Sequence, residues 1–187
     1  MEKEHLLGKT LEELQTVAEE NGLPRFAAKQ IASWLYEKRI DHIAGMSNLS
    51  LKHRELLSQR YDIGREAPVQ SLRSTDGTIK YLFRVRGDDF VETVYIPDRD
   101  RATLCVSSQV GCKMNCSFCM TGKQGFKRSL SSAEIINQIL SVEYSDKLTN
   151  LVFMGMGEPF DNLDEVMRAL SVSSEWGFAW SPKRITV

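Results

Sequence analysis

The sequence predicts an α/β fold in which a helical start gives way to a short antiparallel sheet and then to alternating strands and helices. Three observations predict it. Apolar residues recur at helical spacing up to about residue 62, the period changes to two between residues 66 and 97, and from Ala102 onward the pattern reads strand, loop, helix, strand, helix, strand. The expected organisation is a helical accessory domain over residues 1–65, a β-hairpin linker over 66–100, and the first half of a (βα) barrel over 101–187.

Each element has a local reason. Thr10-Leu11-Glu12-Glu13 has the capping-box form, Leu14, Val17 and Ala18 follow at helical spacing, and Asn21-Gly22 is a stop. Pro24 opens a second helix with Phe26, Ile31, Trp34 and Leu35 as its apolar stripe, and residues 49–57 read as a third. Residues 71–74 and 78–85 flank the hairpin-type turn Thr75-Asp76-Gly77, and residues 90–96 make a strand ended by Pro97. In the last part, residues 104–107 read as a strand, and Ser131-Ser132-Ala133-Glu134 caps a helix carrying Ile135, Ile136, Ile139 and Leu140. Residues 151–154 are a short buried strand, Asn162-Leu163-Asp164-Glu165 caps the next helix, and residues 184–187 begin a third strand. Alternating β and α elements imply parallel strands with right-handed crossovers, and ligands gather at the carboxyl ends of such strands.

The 24 basic and 25 acidic residues nearly cancel, so no global field attracts polyanions and any nucleic-acid affinity is local. There is no apolar run of membrane length, and Met1-Glu2-Lys3-Glu4-His5 lacks the apolar core of a signal peptide. A cytoplasmic protein without a membrane partner is expected, in keeping with thiols kept reduced.

The chemistry concentrates in Cys112-Lys113-Met114-Asn115-Cys116-Ser117-Phe118-Cys119, which packs three of the four cysteines into eight residues. Three thiolates at this spacing wrap one compact centre, whereas an iron–sulfur cubane normally takes four cysteines, so one iron stays open to chelation by an amine and a carboxylate such as S-adenosylmethionine offers. Structural zinc is the competing reading. It usually wants four N or S ligands in two clustered pairs. The second pair is missing, because His5, His42 and His53 lie far upstream and Cys105 would have to fold back from a strand.

Gly155-Met156-Gly157-Glu158-Pro159 follows a buried strand; its glycines would let backbone approach a ligand, and Glu158 supplies a carboxylate for an ammonium group. The plain reading is a tight turn with a solvated Glu. Cys105, on a strand face with Thr103 and Ser107, reads as inert packing on its own. Arg99, Arg101, Lys123, Lys127 and Arg128 flank the strand and the cysteine loop as candidate phosphate contacts, with Arg25, Lys29 and Lys38 as a second set; solvated surface is the alternative for both.

Several ordered segments carry a resemblance. Val91-Glu92-Thr93-Val94-Tyr95-Ile96-Pro97, Cys105-Val106-Ser107-Ser108-Gln109-Val110-Gly111-Cys112, the cysteine loop, Gln124-Gly125-Phe126 and Met154-Gly155-Met156-Gly157-Glu158-Pro159 closely resemble the radical S-adenosylmethionine methyltransferases that methylate carbon 2 of adenine in 23S rRNA and tRNA. Gly22-Leu23-Pro24-Arg25-Phe26, leading to Trp34 and Tyr36, is similar to this family's accessory RNA-contacting domain. By position, the resemblance implies that Cys112, Cys116 and Cys119 ligate a [4Fe-4S] cluster, that Gly157 and Glu158 hold the methionine end of S-adenosyl-L-methionine, that Glu92 is the proton acceptor, and that Cys105 pairs transiently with a second, methyl-carrying cysteine. It further implies a radical-SAM partial barrel, 23S rRNA and tRNA as partners, a flavodoxin-like electron donor, and a monomer.

All four cysteines are thereby assigned and none lies beyond residue 119, so the methyl-carrying cysteine is not in the sequence. The expectation is an amino-terminal part of such an enzyme that binds a cluster but does not complete methyl transfer alone. Methylation of adenine carbon 8, as in a closely similar family, a noncatalytic RNA-binding module with a structural metal, and an electron carrier are the other readings. The carrier would want four cluster ligands.

Overall fold

The computed structural model describes residues 3–176 and 181–187. Strand β1 (Glu4–His5) leads into helix α1 (Leu11–Glu20), closed at its start by the expected capping box: Thr10 Oγ1 accepts from the Glu13 N–H at 3.3 Å and Glu13 Oε2 accepts from the Thr10 N–H at 2.8 Å. Leu14, Val17 and Ala18 are buried, and Asn21 closes the helix by donating from Nδ2 to the Val17 carbonyl at 2.7 Å. Helix α2 (Ala27–Ala32) runs directly into a π-turn over Ser33–Glu37. Ile31, Leu35 and Tyr36 are buried, but Phe26 is 65% exposed and leaves the expected stripe, because it precedes the first helical residue and is not carried onto the inward face. Trp34 is only partly buried, its Nε1 donating to Asn48 and Lys38 lying 3.6 Å over its ring. Helix α3 (Leu51–Arg60), capped by Ser50, ends in β2 (Tyr61–Asp62), which pairs in parallel with β1 and ties the two ends of the helical region together.

Strands β3 (Gln70–Arg73), β4 (Ile79–Val85), β5 (Asp89–Asp98) and β6 (Arg101–Cys105) form an antiparallel meander. The short β7 (Gln109–Val110), helix α4 (Met120–Lys123) and β8 (Arg128–Ser129) then enclose the cysteine loop. Helix α5 (Ser132–Leu140), β9 (Asn150–Val152), α6 (Leu163–Glu175) and β10 (Ile185–Thr186) complete the chain. The strand order β10-β9-β6-β5-β4-β3 is one six-stranded sheet, parallel across β10, β9 and β6 and antiparallel beyond, so the hairpin strands continue the barrel strands without a break.

Two sequence expectations are corrected here. Pro97 does not end its strand: β5 runs to Asp98 with Pro97 opposite Ala102. The ladder to β4 has already stopped at Ile79–Tyr95, so the missing N–H of Pro97 removes no bond on that side. Asn162 does not cap α6 through its side chain; its Nδ2 donates instead to the carbonyls of Ser108 at 2.9 Å and Leu130 at 2.8 Å.

One sheet face joins the apolar core, burying Ile79, Tyr81, Phe83, Val91, Thr93, Tyr95, Leu104 and Leu151 together with Ile135, Ile136 and Ile139 of α5 and Val166, Ala169 and Val172 of α6. The opposite face carries Lys80, Glu92, Val94, Ile96, Cys105 and Val152, all exposed or half-buried. Helix α5 is gripped at both ends by the helical region. Ser132 Oγ donates to the Gly8 carbonyl at 3.2 Å, and a Cβ on Gly8 would sit 2.4 Å from the Ala133 nitrogen. At the other end Arg65 donates to the Leu140 carbonyl at 3.1 Å and to Ser141 Oγ at 3.2 Å. Between them Asn137 pairs with both backbone groups of Glu66, at 2.9 and 3.0 Å.

Candidate active site

The open sheet face and two loops at the carboxyl ends of β6 and β9 build the site. In the register, Cys105 lies opposite Val94 on β5 and Val152 on β9, and Glu92 stands two residues from Val94 on the same face. Glu92 is therefore a diagonal neighbour of Cys105. Its carboxylate accepts from Lys80 Nζ at 2.8 Å in a pair half exposed on both sides, which holds it in place without burying it. Burial pushes the Cys105 thiol up from its ordinary pKa, a hydrogen bond with the Met154 backbone partly offsetting this, so the group stays protonated near neutrality.

The cysteine loop is anchored by close backbone packing. Gly111 has φ +74, and a Cβ there would lie 1.7 Å from the Gly125 carbonyl oxygen, so the start and end of the loop meet where only glycine fits. Cys112 is buried, Cys116 exposed and Cys119 half-buried. Met114 N–H reaches Cys112 Sγ at 3.5 Å. Hydrogen bonds from the Gly122 backbone first, and then from Thr121, lower the Cys119 thiol pKa. Among the described residues no three His, Cys, Asp or Glu side chains converge at metal-holding distance, and all four thiols are free. The donor set nevertheless fits an iron–sulfur centre: three thiols lie on one short loop, peptide N–H groups face two of the sulfurs, and Cys105 stands on β6 rather than on that loop.

The second loop packs against the segment that follows β6. Gly157 has φ +101, with a hypothetical Cβ 2.5 Å from Gln109 Cβ, and a Cβ on Gly155 would meet the Val106 carbonyl oxygen at 2.6 Å. Ser108 and Gln109 both donate backbone N–H to the Met156 carbonyl, at 2.8 and 3.1 Å. The Glu158 N–H donates to Gln109 Oε1 at 3.0 Å, while its carboxylate accepts from the Phe160 N–H at 3.1 Å and starts the 3₁₀ turn Pro159–Asn162. The glycines thus admit a close approach of protein, the Val106 carbonyl at Gly155 and Gln109 at Gly157, and the Glu158 carboxylate has a local partner in the Phe160 N–H.

Sequence reasoning gives no site role to Ser107, Gln109, Gln138 and Asn162, which join these loops. One signal was present: Gln138 is a polar residue, 0% exposed, among the isoleucines of α5.

Two family descriptions match in order, the ribosomal RNA large subunit methyltransferase N-terminal domain over residues 4–63 and the radical SAM superfamily over residues 106–185. A probable dual-specificity RNA methyltransferase RlmN of Phocaeicola vulgatus is 64% identical over 186 residues, covering 99% of this chain and 53% of that relative. The dual-specificity RNA methyltransferase RlmN of Geotalea uraniireducens is 45% identical over 188 residues, covering 100% of this chain and 55% of that relative. Over essentially its whole length the chain is similar to RlmN-type radical SAM methyltransferases, with the two family descriptions in the same order. A crystal structure of a radical SAM methyltransferase from Sphaerobacter thermophilus superposes with a TM-score of 0.89 at 38% identity, over 98% of this chain and 56% of that one. The chain spans about half the length of the RlmN-type relatives it matches.

Against the RlmN-type frame the basic set divides. Arg99 and Arg101 lie at the start of β6, the opposite end from the cysteine loop, so the strand separates them from Lys123, Lys127 and Arg128. Lys127 pairs with Asp89 at 2.6 Å and Arg128 with Glu134 at 2.7 Å, which neutralises much of the remaining cluster. His5 pairs with Asp62 at 3.5 Å across β1 and β2 and is not on the cysteine loop. No described helix is long and apolar enough to cross a membrane.

Proposed function

We propose that this chain supplies the cluster-binding loop, part of the S-adenosyl-L-methionine site and two reacting side chains of a radical enzyme that methylates carbon 2 of adenine in 23S rRNA and tRNA. The observation that carries the reading is the convergence on one open sheet face of Glu92 and Cys105 with the Cys112–Cys119 and Gly155–Pro159 loops at its carboxyl end. Cys112, Cys116 and Cys119 are the residues that would hold a [4Fe-4S] cluster. Bound there, such a cluster and S-adenosyl-L-methionine would supply radical chemistry, which an electron-poor ring carbon requires.

Within this scheme the Gly157 backbone, seated closely on Gln109, lies beside the methionine end, and Glu158 offers its carboxylate to the ammonium group. Glu92, on the open face and oriented by Lys80, takes the ring proton at a carboxylate oxygen. Cys105 keeps its proton until product release, when its sulfur attacks the sulfur of the methyl-carrying cysteine; the S–S bond forms as that cysteine's C–S bond to the product breaks, and the released electron pair passes to the product carbon, which takes up a proton. The reading includes a monomer, a flavodoxin-like electron donor, RNA contact through the helical region, and a cytoplasmic location in which the thiols stay reduced.

The test is anaerobic reconstitution of the 187-residue chain with iron and sulfide, followed by iron and sulfide analysis and electron paramagnetic resonance with and without S-adenosylmethionine. About four irons per chain and a cluster signal altered by the cofactor are expected. Methyl transfer to RNA by this chain alone is not expected. Zinc at four protein donors, or a cluster signal indifferent to the cofactor, overturns the reading.

A further inference from the structure

We propose that Ser107 and Gln138 are positioning residues that set the Met156–Glu158 backbone against the cysteine loop and against the strand bearing Glu92. The proposal rests on the function proposed above and names residues that this reading does not require. Ser107 is 0% exposed and lies just beyond the end of β6. Its hydroxyl donates to the Glu92 carbonyl at 2.6 Å and accepts from the Met156 N–H at 2.9 Å, so one oxygen joins β5 to the glycine-rich loop. Gln138, also 0% exposed, fixes the Ser107 backbone from the helix side. Its Oε1 accepts from the Ser107 N–H at 2.9 Å and from Thr93 Oγ1 at 2.7 Å, and its Nε2 donates to the Ser107 carbonyl at 3.1 Å.

The amide of Gln138 therefore does for Ser107 what a neighbouring strand would do, in a place where β6 has ended. Buried polar groups that are fully partnered specify one arrangement and are costly when one partner is lost. The arrangement specified here is shared by three pieces of the site. Glu92 is on β5, Cys105 is two residues before Ser107, and Met156 precedes the Gly157-Glu158 pair. A polar hub that only stabilised the fold could sit anywhere in the core; this one joins the segments whose relative placement decides where a cofactor lies with respect to the proton acceptor.

The test compares the reconstituted chain with Ser107→Ala and with the pair Thr93→Val and Thr93→Ser, which probes the hub from its far side should Ser107→Ala fold poorly. Three quantities are read: iron per chain, the dissociation constant for S-adenosylmethionine from its effect on the cluster signal, and hydrogen exchange of the Met156 and Gly157 amides in the metal-free chain. Ser107→Ala is expected to keep its iron, to weaken the cofactor about tenfold, equivalent to about 1.4 kcal/mol, and to speed exchange at Met156 and Gly157 while leaving α1 unchanged. Thr93→Val is expected to weaken the cofactor in the same direction and Thr93→Ser to restore it. Unchanged affinity and unchanged loop exchange in both Ser107→Ala and Thr93→Val overturn the positioning role while the functional reading stands. An unmodified chain that takes up no cluster, or whose cluster ignores the cofactor, overturns the functional reading, and the cofactor-directed role falls with it even where the exchange data show the hub holding the loop.

Discussion

Replacing Gly111 by alanine tests the claim that the cysteine loop is closed by backbone contact rather than by side chains. Its φ of +74 lies in the left-handed region, where an L-residue costs about 1–2 kcal/mol. A Cβ would also stand 1.7 Å from the Gly125 oxygen and 2.8 Å from its carbonyl carbon, and neither atom can rotate away as a side chain could. Forcing the two backbones apart adds a further cost of about 1–3 kcal/mol, typical of overpacked sites. Gly125→Ala is the control, because Gly125 has the same φ of +74 and nothing within 4 Å of its hypothetical Cβ. Urea unfolding of the metal-free proteins should give Gly125→Ala a loss near 1 kcal/mol and Gly111→Ala a loss of about 2–5 kcal/mol at unchanged slope. Iron uptake should fall in Gly111→Ala, since Cys112 is the next residue, and hold in the control. Equal midpoints for the two variants would refute the closure argument, and so would full iron loading of Gly111→Ala.

Further outcomes follow from the same geometry. Serine at Cys112, Cys116 or Cys119 should abolish stable iron uptake, whereas Cys105→Ser on β6 should load iron like the parent, as measured by iron content and absorbance. Glu92→Gln should change stability by less than about 1 kcal/mol in urea unfolding, because its ion pair with Lys80 is half exposed, so any larger loss would count against its placement on the open face. For Glu134, burial raises the carboxyl pKa, but the Arg128 hydrogen bond and the Ser131 and Arg86 backbone N–H groups outweigh it and leave the value lowered. A depressed folded-state pKa gives stability that is present above the ordinary glutamate value and lost as pH falls through the lower one. Between about pH 6 and about pH 3 the unfolding midpoint of Glu134→Gln should therefore fall less steeply than that of the unaltered chain.

Much of this molecule was legible in its residues because the determining interactions are local. The capping boxes at Thr10 and Ser131 need only three-residue spacing, and both form. The βα alternation and the glycine loop after β9 were readable for the same reason. What was not legible depended on residues far apart in the chain. Asn162 has the composition of a cap, yet Ser108 and Leu130 offer its amide two buried carbonyls, and those outbid the helix end. The lysine and arginine set around the cysteine loop looked like one patch along the sequence, but strand direction separates Arg99 and Arg101 from the rest, and Asp89 and Glu134 take up two of the others. The candidate site residues are proposed from short motifs, which are local in the same way. The Ser107–Gln138 hub, with partners 31 residues apart, has no motif to betray it.

The double grip on α5 has a mechanical corollary. Nine residues of helix measure about 14 Å, and the same beam that Gly8 and Arg65 seize from the helical side carries Gln138 on its inner flank. The helical region and the strand bearing Glu92 are thus joined through one short helix as well as through the chain between them.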